Sequence, residues 1–225
     1  MPSIESNDPT AIEDRPKNTL RITEIFFSIQ GESSQAGRPC TFVRLSRCNL
    51  RCNWCDTPYS FTGGDRMSLD EIHAAVEAHG CRLVEITGGE PLLQPLVLPL
   101  MARLLDAGYE VLIETSGSLD ISAIDPRVSV IMDLKAPGSG ESDKNLFANL
   151  EHLKSNDEVK IVILDRRDFE WAVQIMEDYP ILKEHSLIFS PVHGTLEPGL
   201  LARWILEAGV DVRLGVQLHK YLDLE

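Results

Sequence analysis

Short apolar runs recur along the chain, separated by stretches in which apolar residues stand three and four positions apart. Residues 20–27, 40–46, 83–87, 110–114, 128–132, 159–164, 187–189 and 212–216 are rich in Val, Ile, Leu and Phe and read as strands. Helical spacing covers 69–79, 95–107, 144–154, 168–179 and 198–208. The first of these helices has a capping box, with Ser68 as N-cap and Glu71 at the third helical position, and Gly80 stops it.

Strand and helix in regular alternation predict an α/β fold with a parallel sheet and right-handed crossovers. Six or seven core strands are too few for a closed eight-unit barrel. The expectation is therefore an open, partial TIM-like barrel. A doubly wound sheet is the alternative, but the first turns lack the G-x-G-x-x-G loop of its dinucleotide-binding form. Residues 1–18 hold Pro2, Pro9 and Pro16 and little that is apolar, so a disordered tail is expected there. Residues 19–225 are expected to form a single domain.

Composition narrows the function. The 225 residues are 43% hydrophobic and carry a formal charge of -14. Such an acidic surface repels phosphate backbones, which argues against a nucleic-acid partner. No apolar run approaches the roughly 20 residues of a membrane span. The start lacks the apolar core of a signal peptide. A cytoplasmic protein is expected, with its thiols reduced and able to ligate metal.

Three of the five cysteines, Cys48, Cys52 and Cys55, are spaced C-x3-C-x2-C. Three thiolates on one loop can hold three corners of a cubic iron–sulfur cluster, which usually takes four. One iron then keeps an open position. Structural zinc is the other reading, with a His or Asp completing the site. Zinc sites usually draw on a second cysteine pair, and Cys40 and Cys81 stand alone. The ends of the strands are also polar: Thr87-Gly88-Gly89-Glu90, Glu114-Thr115-Ser116, Asp133-Leu134-Lys135 and Ser190. In a parallel sheet these ends gather on one face, where ligands bind.

The cysteine spacing, with Trp54 directly before the last cysteine, matches the signature of the radical S-adenosylmethionine (SAM) superfamily. Gly88-Gly89-Glu90-Pro91 resembles its GGEP turn. Further features narrow the match: Ile29-Gln30-Gly31-Glu32, Arg44, Cys55-Asp56-Thr57, Glu114-Thr115-Ser116-Gly117 and His219-Lys220-Tyr221. Together they resemble the 7-carboxy-7-deazaguanine synthase family of the queuosine pathway, over about residues 20–225. Two segments depart from familiar members. Asp133-Leu134-Lys135 stands where others carry Ser-Pro-Lys, and Ser33 replaces a usual glycine.

The resemblance implies a radical SAM fold and a radical ring contraction. The substrate would be 6-carboxy-5,6,7,8-tetrahydropterin and the products 7-carboxy-7-deazaguanine and ammonia. SAM would act catalytically: its adenosyl radical takes hydrogen from carbon 6 and the hydrogen later returns. It further implies a 4Fe-4S cluster on Cys48, Cys52 and Cys55, and magnesium at Thr57. SAM contacts would come from Trp54, Cys55, Asp56, Gly89, Ser116, Asp133, Leu134, Lys135, Ser190, Pro191 and Val192. The substrate would be held by Ile29, Gln30, Gly31, Glu32, Arg44, Thr87, His219 and Glu225. Implied partners are an electron donor of flavodoxin or ferredoxin type and a second copy in a homodimer. Two competitors share parts of this pattern. One is another radical SAM enzyme, such as a glycyl-radical activase; the other is a non-enzymatic metal-binding module.

Overall fold

The computed structural model describes residues 18–224. All but the last residue of the expected tail at 1–18 lies outside that range, and so does Glu225. The strands are β1 (Thr19–Ile29), β2 (Pro39–Leu45), β3 (Asp65–Ser68), β4 (Leu83–Gly88), β5 (Glu110–Thr115), β6 (Ser129–Leu134), β7 (Glu158–Ile163), β8 (Ser186–Pro191) and β9 (Arg213–Leu214). The helices are α1 (Leu69–Ala78), α2 (Val97–Asp106), α3 (Arg166–Asp178), α4 (Pro198–Ala208) and α5 (Leu218–Tyr221).

All nine strands join one sheet in the order β3-β1-β2-β4-β5-β6-β7-β8-β9. From β2 to β9 every pairing is parallel, and β1 runs antiparallel to both β2 and β3. β3 and β9 each have a single neighbour, so the barrel stays open. This is the partial barrel that the strand count predicts.

Helices α1 to α4 pack on β1, β5, β7 and β8. Their apolar stripes meet the outward side chains of the strands. Val84, Ile86, Val111, Ile113, Val159 and Ile161 share one core with Leu100, Leu104, Phe169 and Leu201. The inner face carries a smaller apolar layer of Cys40, Phe42, Leu83, Leu112 and Ile131. The predicted capping box opens α1: Glu71 N–H donates to Ser68 Oγ at 3.2 Å, and Ser68 N–H to Glu71 Oε2 at 2.7 Å.

Four segments differ from the sequence expectation. Residues 144–154 form no α-helix but short 3-10 turns at Ser142–Lys144 and Phe147–His152. Two asparagines pull this segment into local bonds: Asn145 pairs with both backbone groups of Lys135, and Asn149 donates to the carbonyls of Gly117 and Leu119. Side chains that bond backbone in this way compete with helix. The last strand shrinks from 212–216 to two residues. Elements β3 and α5 were not foreseen, because four residues are too few to show a period.

Candidate active site

Six consecutive parallel strands send polar side chains inward. Among them are Arg44 (β2), Thr87 (β4), Glu114 (β5), Asp133 (β6), Lys160 (β7) and Ser190 (β8), and these six line one cleft of about 1020 Å³. Register places Arg44 beside Thr87 and Asp133 beside Lys160. The period-two rule then puts their neighbours on the outer, apolar face.

Lys160 is the hub of this layer. Its ammonium meets Glu32 at 2.7 Å and Asp133 at 3.7 Å, and makes a closer ion pair with Glu114. Burial alone would lower the Lys160 pKa, but the charges of Glu114, Glu32 and Asp133 hold it well above its ordinary value. Burial likewise raises Glu32, yet the Lys160 charge more than offsets it and leaves that carboxyl below its usual range. For Glu114 burial prevails, and its pKa is raised. Lys135 lies 3.0 Å from Asp133 Oδ2. Asp133 Oδ1 is buried and has no hydrogen-bond partner among the described residues, an acceptor that suits a ligand hydroxyl or ammonium.

A loop from Gln30 to Arg38 crosses the open barrel and is tied to its inner face. Gln30 Nε2 donates to Glu85 Oε2 at 2.6 Å, and Gln30 Oε1 accepts from Glu32 N–H at 2.5 Å. Ser34 N–H donates to Glu158 at 2.9 Å. The C-terminal segment closes over this loop. Leu218 N–H donates to Gly31 O at 2.8 Å, and a Cβ at Gly31 would overlap the His219 ring. Burial holds His219 below its ordinary pKa. Gln217 Nε2 reaches Glu32 at 2.9 Å and Asp56 at 3.2 Å, while Lys220 Nζ donates to Asp56 at 2.6 Å. Burial pushes Asp56 up, but these bonds prevail and its carboxyl lies below the usual range.

The cysteine loop follows β2. Asn53 anchors it through its N–H to Ser139 O at 3.0 Å and its side chain to Gly138 O at 2.9 Å. Burial pushes the Cys48 and Cys52 thiols up, so their ionisation calls for a metal. Cys48, Cys52 and Cys55 all border the cleft, with no fourth cysteine among the described residues that line it, a donor set that suits a cubic cluster with one open iron.

The two glycines of the GGEP turn have a packing role. A Cβ on Gly88 would overlap the Leu45 carbonyl, and one on Gly89 the Arg47 carbonyl and, at 2.9 Å, Cys48 Cβ. Their absence lets the turn lie directly on the backbone that leads into the cysteine loop.

The expected site residues come together with one exception and one omission. Cys48, Cys52, Trp54, Cys55, Asp56, Thr57, Gly89, Ser116, Lys135, Pro191 and Val192 border the same cleft as Ile29, Gln30, Gly31, Glu32, Arg44, Thr87 and His219. Leu134 does not, because strand alternation turns its side chain into the apolar core, where it is fully buried. Glu225 is outside the described residues. Arg44 is already engaged, since its Nε donates to Glu24 Oε1 at 2.6 Å, and Tyr59 Oη donates to the same oxygen at 2.9 Å. Its two terminal nitrogens remain for a ligand. Sequence reasoning missed Lys160, Glu85, Glu158 and Gln217, and gave Lys220 no role beyond its place in the His219-Lys220-Tyr221 motif. The available signal was a charged residue inside an apolar strand, as in Val159-Lys160-Ile161 and Val84-Glu85-Ile86.

Comparison with known proteins fits this geometry. The Radical SAM superfamily matches residues 43–179. A 7-carboxy-7-deazaguanine synthase of Koribacter versatilis is 48% identical over 90% of this chain and 96% of its own. One from Chlorobaculum tepidum is 47% identical, over 90% of this chain and 94% of its own. The crystal structure of QueE from Escherichia coli superposes with a TM-score of 0.74 at 26% identity, covering 89% of this chain and 95% of that one.

Proposed function

The chain belongs to the radical SAM superfamily and, within it, to the 7-carboxy-7-deazaguanine synthases, and on that premise we propose its reaction and the residues that carry it. It converts 6-carboxy-5,6,7,8-tetrahydropterin to 7-carboxy-7-deazaguanine and ammonia. The observation that supports this most is the meeting, in one cleft, of the cysteine loop, the GGEP turn, and the Gln30–Glu32 loop with Arg44.

Cys48, Cys52 and Cys55 would hold a 4Fe-4S cluster, and the cysteine loop with the ends of β4, β5, β6 and β8 would supply the contacts to SAM. When bound, cluster and SAM supply a radical that takes a hydrogen atom from the substrate and later returns it. The protein's own task is to fix the distance and keep out water. Arg44 presents its two free nitrogens to the substrate carboxylate as a planar fork. Glu32, Thr87 and His219 border the pterin, and Lys160 keeps Glu32 ionised and in place. The C-terminal clasp of Gln217 and Lys220 covers the site from the solvent side.

Thr57 offers a hard oxygen to magnesium, which takes few protein ligands when substrate and water complete its shell. Its hydroxyl makes only a weak 3.8 Å contact, with Cys55 Sγ, and is otherwise available. The reading extends to an electron donor of flavodoxin or ferredoxin type, a homodimer, a single domain over 19–225 and a cytoplasmic setting. None of the five cysteines, all among the described residues, is in a disulfide, which suits a reducing compartment. No helix among the described residues is long and apolar enough to cross a membrane.

The test is anaerobic turnover of the reconstituted protein with SAM, a low-potential reductant and the carboxypterin. Formation of 7-carboxy-7-deazaguanine and ammonia is expected. SAM cleavage without that product would instead favour another radical SAM reaction.

A further inference from the structure

One carboxyl at the floor of the cleft has no part in the roles above. Glu85 lies on β4 two residues before Thr87, so both point inward. In register it sits between Phe42 on β2 and Leu112 on β5, both buried and apolar. A carboxyl placed there is costly unless it is paired. One oxygen, Oε2, accepts from Gln30 at 2.6 Å. The other bonds to no described residue, although Glu85 is only 3% exposed and borders the cleft. Holding Gln30 needs a single acceptor, which a hydroxyl would supply without burying an acid. The second oxygen is left over from that structural need, on a residue that borders the cleft.

Resting on the functional reading above, we propose that Glu85 contacts the substrate and sets its specificity, its free oxygen donating a proton-bearing hydrogen bond to the 4-oxo group of the pterin ring. The charged surroundings favour the neutral acid. Burial, then the charge of Glu114 on β5, pushes Glu85 up to about 8, with Glu32 of the crossing loop adding to the rise. The Gln30 bond and Lys160 on β7 oppose the shift without cancelling it. On β2 the facing titratable group is Cys40, a thiol that burial keeps neutral. The neutral acid is thus favoured near neutral pH, and with Oε2 committed to Gln30 its proton falls to the other oxygen. A site that donates there accepts a 4-oxo ring and rejects a 4-amino one, whose hydrogens point at its own.

The sign of the pH effect follows. The donor is present below pH 8 and disappears as pH rises through that value, so wild-type affinity falls on the alkaline side. Glu85→Gln keeps an acceptor for Gln30 and a permanent N–H donor for the ligand. Glu85→Leu removes both.

The experiment measures equilibrium binding and turnover of the carboxypterin and its 4-amino analogue by the SAM-loaded holoenzyme, from pH 6.5 to 9.5 (roughly 1.5 units either side of the shifted value). Cluster content and melting temperature are followed in parallel. Expected are wild-type affinity that declines above about pH 8, Glu85→Gln affinity that stays level, and at least about a tenfold loss in Glu85→Leu. Preference for 4-oxo over 4-amino should persist in Glu85→Gln and vanish in Glu85→Leu. The same alkaline decline in Glu85→Gln as in wild type, or unchanged binding by Glu85→Leu, would overturn the assignment alone. A wild type that neither binds nor turns over the carboxypterin would overturn the functional reading, and this assignment with it.

Discussion

The Glu90 carboxylate accepts two hydrogen bonds from Ser116, from its N–H at 2.8 Å and its Oγ–H at 2.6 Å. Thr115 Oγ adds a third at 2.9 Å, and Leu92 N–H a fourth at 3.0 Å. One fully buried side chain therefore joins the turn after β4 to the turn after β5. Since Gly88 and Gly89 lie directly against Leu45, Arg47 and Cys48, these contacts tie three strand ends together.

Removing that carboxylate should loosen all three. Glu90→Ala leaves buried donors on Thr115 and Ser116 unsatisfied, at a cost of about 1–3 kcal/mol for each. The expected result is a clearly lower melting temperature with reduced cluster retention. Thermal unfolding of the anaerobically reconstituted variant, with iron determined on the same sample, checks it. Unchanged stability would mean that the turns are held from elsewhere.

In the proposed reading, Arg44 recognises the substrate carboxylate. Glu24 and Tyr59 fix one edge of its guanidinium, which pre-orients the other edge toward the cleft. Arg44→Ala should keep cluster and SAM binding but lose about 2–5 kcal/mol of substrate affinity. Arg44→Lys should lose less, since it keeps a point charge without the fork. Titration of substrate into SAM-loaded variants is the measurement, and full affinity in Arg44→Ala would take this residue out of the site.

The cysteines divide into two groups. Replacing Cys48, Cys52 or Cys55 by Ala should abolish the iron–sulfur absorption of the reconstituted protein, about four irons and four sulfides per chain. Cys40 is buried in the inner apolar layer and Cys81 donates to Pro39 O at 3.2 Å, so Ala at either position should leave the cluster intact. Tight zinc binding with no iron–sulfur band would contradict the cluster.

Much of this arrangement could be read from the sequence. The parallel α/β order, the capping box at Ser68, the cysteine loop and the polar strand ends all follow from local pattern. What escaped was set by tertiary pairing. Lys160 and Glu32 are 128 residues apart, and nothing local to Val159-Lys160-Ile161 says which carboxylate the ammonium will meet. Gln217 and Asp56, 161 apart, meet only because α5 folds back over the cleft. Residues 144–154 misled for a related reason: their helical spacing is real, but Asn145 and Asn149 spend their side chains on the ends of neighbouring strands. Leu134 was placed in the site by its motif, although alternation along β6 already turns it away.

The central claim is that this cleft performs a reversible hydrogen transfer between carbon 6 of the carboxypterin and SAM. The most direct measurement is anaerobic turnover of substrate deuterated at carbon 6, with mass analysis of recovered SAM and product. Deuterium should accumulate in SAM while many product molecules form for each SAM present. Unlabelled SAM, with one molecule consumed for every product formed, would contradict the account.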